Sequence, residues 1–542
     1  MFTNKQLAIT LAQLNWTVGD IEGNAAKMAE VIKENSESDL ILFSELALSG
    51  STAEDLLFRP DFNQRCETQL SALQELTKAC ESAIVIGHPH RIRGELFNAV
   101  SVFHGGDLIV RYLKQELENS GSFDEERYFK AGQSPKSFNI KGFQIGLMLG
   151  NEVFSSQAIY APVIQEADII LALTAQPYQQ RGSHKNEEEL SAISKKIDKE
   201  IVFLNQVGGQ DELIFEGSSL ICNRDGKVTH NLPAFREACI TANWNRGKIK
   251  PSSDSVQPYS LVEETYQALV LAVKDYVRKN RFKGALLGLS GGIDSAITLA
   301  IAVDALGKEN VQAVMMPFRY TSEMSIEDAQ EEAKSLGVKF DIVSIEPMFE
   351  SFMAQLEPLF DEGEMGTTQE NLQSRCRAII LMALSHKRGR LVLTTGNKSE
   401  TAVGYSTLYG DTAGGFAVLK DVPKTFIYEL AKYRNTISKV IPKRVIERAP
   451  SAELAPDQKD EDTLPPYPVL DAIIAGYVEQ DLCVEQLVAL GYDEDVVRKI
   501  IRLIDLNEYK RRQSPIGPKI TSRSFGIERR YPITSGFGRK NW

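Results

Sequence analysis

The residue types best suited to chemistry lie in a six-residue loop, Ser290–Ser295, that reads Ser-Gly-Gly-Ile-Asp-Ser. An apolar run precedes this loop, and an apolar stretch with helical spacing follows it. Glycines let a backbone approach a polyphosphate closely, and the amides that open a helix point the positive end of its dipole at that anion. The two serines add hydroxyl donors, and Asp294 suits a Mg²⁺ ion carried by the phosphates. No lysine stands at the Walker position, which excludes a kinase-type cradle for a γ-phosphate.

Apolar runs and helical stretches alternate on both sides of this loop. The runs predicted as strands are Ala285–Leu289, Val311–Pro317, Phe340–Ser344 and Leu391–Thr395. Short strands that alternate with helices are typical of a doubly wound parallel sheet. The loop therefore joins a strand of such a sheet to the helix that follows it.

The first half of the chain shows the same alternation between Leu7 and Asn243. The runs predicted as buried strands are Leu40–Phe43, Ala83–Ile86, Gln144–Leu149, Ile169–Leu173 and Ile201–Asn205. Helical spacing between them indicates a layered α/β domain. Arg246–Pro258 collects proline, serine and charge without a period and is predicted to be a linker. We therefore expect two domains, at residues 1–250 and 260–542.

Composition excludes several classes of protein. The chain has 542 residues, 43% of them hydrophobic and 25% charged, as in ordinary globular proteins. Its net charge of −12 argues against a protein that coats nucleic acid or an anionic membrane. The six cysteines lack CxxC spacing, so neither zinc nor a disulfide framework is expected, and reduced thiols indicate the cytoplasm. His88-Pro89-His90 has no carboxylate or cysteine at ligand spacing and is more typical of a loop than of a metal site.

The second half resembles the N-type ATP pyrophosphatases, and among them the NAD⁺ synthetases. Besides the loop, the segments that carry the resemblance are, in chain order, Glu370–Arg375, Thr395–Glu400, Gly404–Thr407, Tyr409–Asp411, Pro450–Leu454, Asp460–Asp462 and Glu508–Gln513. The resemblance implies a Rossmann-like sheet and the amidation of deamido-NAD⁺. In that reaction ATP adenylates the nicotinate carboxylate, pyrophosphate leaves, and ammonia displaces AMP.

The same resemblance implies roles for individual residues. Asp294, Lys398 and Glu400 are the expected catalytic residues, with Lys398 facing phosphate, and Asp294 and Glu400 are the expected Mg²⁺ ligands. The expected contacts to ATP are Ser290, Gly291, Gly292, Asp294, Ser295 and Thr395. The expected contacts to deamido-NAD⁺ are Asn371, Glu400 and Lys510.

The first half resembles the nitrilase-type amide hydrolase domain that is fused to glutamine-dependent NAD⁺ synthetases. The matching segments are Gln13–Asn15, Val18–Ile21, Phe43–Gly50 and Phe123–Phe129. The resemblance implies an α-β-β-α sandwich with a Glu–Lys–Cys triad. In such a triad the thiolate attacks the glutamine carboxamide, the glutamate moves protons and the lysine stabilises the oxyanion. Glu45 and Lys114 match the first two members.

The third member of the triad is missing. Where the family has Cys-Glu-Asp, this chain has Gly150-Asn151-Glu152, and glycine has no side chain that could form a thioester. The family's Asn-Ala-Ser-Pro, near the glutamine pocket, is Thr174–Pro177 here. We therefore expect a domain that is inactive toward glutamine, with Glu45 and Lys114 retained as a buried ion pair and ammonia as the nitrogen donor.

Several alternatives stay open. Glutamine hydrolysis through another nucleophile or another protein is one, amidation of nicotinate mononucleotide is a second, and a first domain that acts as a scaffold is a third. Thiolation of tRNA is disfavoured because paired cysteines and a basic surface are lacking. The family forms dimers, so a homodimer or higher homo-oligomer is expected, with no nucleic-acid or membrane partner.

Charge is unevenly distributed along the chain. Residues 508–542 hold nine basic side chains against Glu508 and Glu528, a local charge of +7. This pattern favours a segment that folds back over an anionic dinucleotide.

Overall fold

The computed structural model describes residues 6–245, 248–249, 257–360, 367–450, 453–455 and 460–537. The chain forms two compact units, the first from residues 1–210 and 214–258 and the second from residues 211–213 and 259–542. Within the predicted linker Arg246–Pro258, Lys248–Ile249 form a short strand, whereas residues 246–247 and 250–256 lie outside the described residues. In the described part of the chain, no helix has the length and apolarity that crossing a membrane requires.

The first unit holds fifteen strands and five α-helices among its described residues. The strands are β1 (Gln6–Gln13), β2 (Leu40–Leu42), β3 (Ala83–Ile92), β4 (Glu95–His104), β5 (Asp107–Leu113), β6 (Ser137–Ile140), β7 (Phe143–Leu149), β8 (Ile169–Thr174), β9 (Glu200–Asn205), β10 (Val207–Gln210), β11 (Leu213–Glu216), β12 (Leu220–Cys222), β13 (Val228–Asn231), β14 (Ala238–Asn245) and β15 (Lys248–Ile249). The helices are α1 (Ile21–Glu34), α2 (Pro60–Leu76), α3 (Ser156–Ile159), α4 (Pro162–Gln165) and α5 (Gly182–Ile197).

Two sheets form the centre of this unit. One has the order β15-β14-β1-β2-β3-β4-β5 and the other the order β13-β12-β9-β8-β7-β6. Side chains alternate across each strand, so Leu7 and Ile9 share one core with Leu147 and Leu149 of the other sheet. The opposite faces pack against α1 and α2 on one sheet and against α3–α5 on the other. The expected α-β-β-α sandwich is confirmed.

The segment His88-Pro89-His90 corrects a prediction, because it lies within β3 and not in a loop. It pairs with β4 in antiparallel register, with His88 opposite Ala99. His88 Nε2 lies 2.8 Å from Ser101 Oγ, and burial lowers the pKa of His88 to about 3. His88 is therefore a neutral core residue whose polar atoms are satisfied within the sheet.

The second unit holds five strands and twelve α-helices among its described residues. The strands are β16 (Ala285–Gly288), β17 (Val311–Met315), β18 (Lys339–Ile342), β19 (Leu391–Thr394) and β20 (Phe416–Ala417). The helices are α6 (Leu261–Lys279), α7 (Ile293–Leu306), α8 (Glu323–Leu336), α9 (Glu346–Leu356), α10 (Thr368–Arg388), α11 (Lys398–Val403), α12 (Lys424–Ile437), α13 (Lys443–Glu447), α14 (Tyr467–Ile474), α15 (Val484–Ala489), α16 (Glu494–Leu506) and α17 (Glu508–Gln513).

The sheet of this unit is parallel throughout, with the order β18-β17-β16-β19-β20. The expected doubly wound parallel sheet is thus confirmed. The strand order reverses between β16 and β19, so the connections that leave these two strands diverge. Folds of this kind bind ligands in the crevice that such a divergence opens at the carboxyl ends of the strands.

Candidate functional site

The loop Ser290–Ser295, called the phosphate loop below, lies in that crevice. Hydrogen bonds from its backbone amides to its two serine side chains stabilise its conformation. Ser295 Oγ accepts a hydrogen bond from the Ser290 amide at 3.1 Å, and Ser290 Oγ accepts one from the Gly292 amide at 3.2 Å. Gly291 has a φ of +80°, and a Cβ there would collide with the carbonyl oxygen of Ser325. The loop conformation therefore requires glycine at position 291.

A cavity of about 280 Å³ opens above the loop at the ends of β16, β17 and β19. One wall is apolar and consists of Val314, Met316, Ala378, Leu381 and Val392. Five of the six predicted ATP contacts line the cavity, namely Ser290, Gly292, Asp294, Ser295 and Thr395. The remaining one, Gly291, presents its carbonyl oxygen to Arg448 Nη2 at 3.0 Å. An apolar slot beside a phosphate loop suits a purine nucleotide.

Asp294 and Glu400 face the cavity and share one buried ammonium group. Lys424 Nζ donates to Asp294 Oδ2 and, at 3.3 Å, to Glu400 Oε1, while its side chain is only 2% exposed. Asn397 Nδ2 donates to Asp294 Oδ1 at 2.9 Å, and Asn397 Oδ1 accepts from the Glu400 amide at 2.9 Å. Sequence reasoning missed Lys424 and Asn397. A signal for Lys424 does exist, because it opens the helix that follows β20 of the same sheet.

The negative charge of Asp294 and Glu400 suits a divalent cation. Burial raises the pKa of the Glu400 carboxyl above its ordinary value, and Asp294 adds to this rise although Lys424 opposes it. Two carboxylates with one ammonium leave the site short of positive charge. Mg²⁺ takes one or two carboxylates together with phosphate oxygens and water. No group of three or more His, Cys, Asp or Glu side chains forms a closed metal site in the described residues, so phosphate and water would complete the coordination.

Lys398 corrects the prediction that it faces phosphate. Its side chain is 1% exposed, and its Nζ lies 2.8 Å from Glu479 Oε1 and 2.9 Å from Asp421 Oδ1. The reason is helical geometry. Residues two apart on a helix differ by about 200° in direction, so Lys398 points away from the cavity that Glu400 faces.

A second, smaller cavity of about 40 Å³ adjoins the first. The two share Thr394, Gly396, Glu400 and Asp411 as lining residues. Burial raises the pKa of Asp411 to about 6. Glu400 and Asp411 thus stand at the boundary between two binding spaces.

The three residues predicted to contact deamido-NAD⁺ are not all brought together. Glu400 and Lys510 line the smaller cavity, and Lys510 Nζ donates to the carbonyl oxygens of Gly404 and Ser406 at 2.8 and 2.9 Å. Asn371 instead accepts a hydrogen bond from Thr407 Oγ1 at 3.0 Å. It is not among the described residues that line either cavity.

The basic C-terminal segment uses much of its charge internally. Glu508 accepts hydrogen bonds from Arg511, Arg512 and Arg529. Lys519 pairs with Glu528, and Arg523 with Asp481. Arg539 and Lys540 lie outside the described residues. Glu508 and Glu528 are already counted in the local +7, and the carboxylates outside the segment that pair with it are those of Asp481 and Asp505, so these ion pairs reduce the +7 only in part.

In the first unit, Glu45, Lys114 and Gly150 lie together. Lys114 Nζ donates to Glu45 Oε1 at 2.8 Å, and the two residues are 3% and 4% exposed. Burial raises the pKa of Glu45, and Lys114 opposes this rise. Gly150 has a φ of +57°, and a Cβ there would fall against Lys114 Nζ and 3.2 Å from Glu45 Oε1. A side chain at position 150 would thus point into the ion pair.

Two further residues complete this cluster. Glu125 Oε2 lies 2.8 Å from Lys114 Nζ. Asn98 Nδ2 donates to Glu45 Oε1 at 2.8 Å and to Glu125 Oε1 at 3.1 Å. Burial alone would lower the pKa of Lys114, but the two glutamates outweigh it and raise that pKa. Sequence reasoning quoted the segment that contains Glu125 but did not single this residue out.

The two stretches that depart from the nitrilase pattern touch each other. Gln176 Nε2 donates to Asn151 Oδ1, and Asn151 Nδ2 donates to a carboxylate oxygen of Glu118. Asn186 Nδ2 donates to Gln176 Oε1 at 2.9 Å. Four polar side chains therefore form a continuous hydrogen-bonded chain beside Gly150.

The buried cysteines of the first unit lie in the cores between its sheets and helices, Cys66 on α2 and Cys222 on β12. Cys66 packs in the core beneath α1 and α2, and Cys222 packs in the core beneath α5. Burial raises the pKa of each thiol to about 12. Neither thiol is therefore in the ionised form that attacks a carboxamide.

Comparison with known proteins assigns a family to each half of the chain. Residues 8–252 match the carbon-nitrogen hydrolase family and residues 265–514 match the NAD synthase family. The chain is 47% identical to the glutamine-dependent NAD(+) synthetase of Acinetobacter baylyi, with 98% of this chain and 99% of that one aligned. It is 43% identical to the protein of that name from Xanthomonas campestris pv. campestris, with 99% and 98% aligned.

A solved structure agrees over the whole length. The glutamine-dependent NAD⁺ synthetase of Acinetobacter baumannii, in complex with adenosine diphosphate, superposes with a TM-score of 0.80 at 44% identity. The alignment covers 98% of this chain and 99% of that one. The chain therefore belongs to the two-domain NAD⁺ synthetases, carbon–nitrogen ligases in which a carbon–nitrogen hydrolase domain precedes an NAD synthase domain.

Proposed function

We propose that this NAD⁺ synthetase amidates deamido-NAD⁺ with ATP and ammonia, and that its hydrolase domain, residues 1–250, does not hydrolyse glutamine. The observation that carries the proposal is the position of Gly150 against Lys114 and Glu45. The relatives named above are called glutamine-dependent. The proposed difference in nitrogen donor therefore rests on this chain's own residues.

The first argument concerns the nucleophile. Hydrolysis by a Glu–Lys–Cys triad needs a thiolate that forms a bond to the carboxamide carbon. The side chain at position 150 would be the one to reach the substrate between Glu45 and Lys114, and glycine supplies none. The buried thiols of Cys66 and Cys222 occupy other layers of the domain and have raised pKa values.

The second argument concerns the surroundings of Gly150. Asn151 and Gln176 stand where the family has different residues, and Gln176 Nε2 donates to Asn151 Oδ1. Glu118 and Asn186 extend this chain at its two ends. A carboxamide substrate at this place would compete with hydrogen bonds that the protein already makes, so its binding would be weakened.

The synthetase domain, residues 260–542, is proposed to retain its chemistry. The phosphate loop and Asp294 would hold the triphosphate, and the apolar wall with Val314 and Met316 would take the adenine ring. When bound, Mg²⁺ would neutralise phosphate charge, with Asp294 and Glu400 as its protein ligands. Lys424 holds these two carboxylates in place.

Acyl transfer would take place at the boundary between the two cavities. An oxygen of the nicotinate carboxylate forms a bond to the α-phosphorus, and the bond between that phosphorus and the pyrophosphate oxygen breaks. Ammonia then forms a bond to the carboxyl carbon and loses one proton to solvent, the bond from that carbon to the AMP oxygen breaks, and AMP leaves with the electron pair. Glu400 and Asp411 line both cavities and are placed to orient the carboxylate and the amine.

The test measures NAD⁺ formation by the full chain with either glutamine or ammonium as the sole nitrogen donor. We expect turnover with ammonium and only background turnover with glutamine, without release of glutamate. Glu45→Gln is the control, because any route that uses the Glu45–Lys114 pair would be lost in this variant. Glutamine-driven turnover with stoichiometric glutamate release would refute the proposal.

Other features remain predictions. The acceptor is proposed to be deamido-NAD⁺, and nicotinate mononucleotide is the alternative because it presents the same carboxylate. Comparison of kcat/KM for the two acceptors decides between them. A homo-oligomer and a cytoplasmic location are also proposed.

A further inference from the structure

The larger cavity has few cationic side chains to meet a triphosphate. The phosphate loop carries no lysine, and Lys398 and Lys424 are buried against carboxylates. Among the described residues that line the cavity, the cations are Arg377 and Arg448. One of these two must therefore meet much of the phosphate charge that Mg²⁺ does not neutralise.

Arg448 is the cation at the phosphate loop. Its Nη2 donates to the Gly291 carbonyl oxygen at 3.0 Å, and its Nη1 donates to Ser325 Oγ at 3.1 Å. In the described part of the chain, no carboxylate lies within ion-pair distance of Arg448. Among the described residues its guanidinium thus stands beside the loop without a direct ion pair, although Ser325 Oγ connects it to Glu453 Oε1 at 2.8 Å, and it has further N–H groups to donate.

The position of Arg448 is fixed by its neighbours. Arg448 directly follows α13, and Arg444 of that helix forms an ion pair with Asp328 of α8 at 2.9 Å. Asp328 is 1% exposed, so this anchor is buried on one side. Ser325, which accepts from Arg448, also lies on α8. The guanidinium is therefore held in place before any nucleotide arrives.

Arg377 is the second cation that lines the cavity. Its Nε donates to the Met316 carbonyl oxygen at 3.1 Å, beside the apolar wall. Burial lowers the pKa of Arg377 to about 10. Arg377 thus contacts the backbone beside the apolar wall, whereas Arg448 contacts the phosphate loop itself.

We propose that Arg448 binds the pyrophosphate end of ATP and stabilises pyrophosphate as it leaves. When the bond between the α-phosphorus and the bridging oxygen breaks, the electron pair stays on that oxygen and the leaving group gains negative charge. A guanidinium at the loop offers two parallel N–H donors to phosphate oxygens. Arg448 is then a catalytic residue, and Arg444 is its positioning residue.

The experiment compares Arg448→Gln and Arg448→Lys with the wild-type chain, and Arg498→Gln is the matched control. Arg498 is a surface arginine of α16 that pairs with Glu494. Three quantities are measured with the full chain: kcat/KM for ATP, inhibition by pyrophosphate, and inhibition by AMP. Melting temperatures establish that each variant is folded.

We expect Arg448→Gln to lower kcat/KM for ATP by about 100-fold, as loss of one donor to developing charge does elsewhere. Pyrophosphate inhibition should weaken by about tenfold and AMP inhibition should change less than about twofold. The kcat/KM of Arg448→Lys for ATP should lie between the values of the wild-type chain and of Arg448→Gln. If Arg448→Gln does not fold, the test uses Arg448→Lys. Unchanged pyrophosphate inhibition, or equal weakening of AMP and pyrophosphate, would overturn the inference.

This inference rests on the proposed use of ATP by the cavity, and the two can fail separately. If the wild-type chain forms no NAD⁺, the proposed function fails. If the wild-type chain is active and Arg448→Gln matches it, only the role of Arg448 fails.

Discussion

Replacement of Lys398 by methionine separates an anchoring role from a phosphate-binding role. Lys398 Nζ contacts Glu479, Asp421 and Thr521, and it also donates to the Arg523 carbonyl oxygen at 3.0 Å. These contacts join the start of α11 to Asp421 before α12, to Glu479 after α14, and to the segment that follows α17. Methionine ends at Cε, where lysine carries Nζ, so it keeps the apolar part of the side chain and removes the charge and the three N–H donors.

The magnitude follows from what the change leaves behind. Removal of one partner from a buried ion pair costs about 3–5 kcal/mol, because it strands the other charge. Asp421 keeps hydrogen bonds from the Ile520 and Thr521 amides at 2.7 Å each, so its charge stays partly compensated. Glu479 is the more exposed of the two acids, at 16%. We therefore expect Lys398→Met to lower the local stability by about 3 kcal/mol, near the lower end of that range.

Hydrogen exchange followed by mass spectrometry measures this loss locally. A loss of about 3 kcal/mol in local stability should speed amide exchange in α11 by roughly 100-fold. Lys432→Met is the control, because Lys432 pairs with Glu429 at the surface and such pairs contribute about 0–1 kcal/mol. Unchanged exchange in α11, together with a large rise in the KM for ATP, would refute this reasoning and restore a phosphate contact for Lys398.

Two further predictions test other parts of the chain. Both carboxyl oxygens of Glu200 are buried without a hydrogen-bonding partner among the described residues, and burial raises its pKa from 4.5 to about 7. The folded state thus holds this proton more tightly than the unfolded state, and stability falls as the pH rises from about 4.5 to about 7. Denaturant titrations measure the free energy of unfolding of Glu200→Gln and of the wild type. Between pH 5 and pH 8 the difference should shift in favour of the variant by about 2 kcal/mol. A difference that stays constant with pH would contradict this prediction. Lys424→Met should lower kcat by about 100-fold or more, because Asp294 and Glu400 lose their shared cation, and a change below about twofold in steady-state assays would show that the pair needs no ammonium.

The sequence predicted the central strands of both units well, and a physical reason explains this. Strands such as β8 and β19 are buried on both faces, so they appear as uninterrupted apolar runs. The antiparallel strands β4 and β5 were not predicted. β4 is buried from Asn98 to Phe103 but Asn98 and Ser101 interrupt its apolar run, whereas most of β5 is exposed or half-buried, so neither strand appears as an uninterrupted apolar run.

The candidate site was predictable where it is local in sequence. The phosphate loop is one contiguous segment, so its residue types and spacing indicate its chemistry directly. Lys424 and Asn397 act through contacts with Asp294, which lies more than 100 residues before them in the chain, so their spacing alone does not reveal these contacts. The side chain of Lys398 was predicted to face phosphate because Lys398 belongs to a segment that matches the family. A match in sequence does not show on which face of the helix each side chain lies.

The position of Asn397 has a thermodynamic consequence. Its side chain donates to Asp294 and accepts from the Glu400 amide, and its own amide lies 3.4 Å from Glu400 Oε2. Asp294 lines the larger cavity, whereas Glu400 lines both. A ligand that draws either carboxylate away alters the hydrogen bonds left to the other. If the two cavities take the two substrates as proposed, we expect their affinities to be linked, so that each substrate changes the affinity for the other by the same factor.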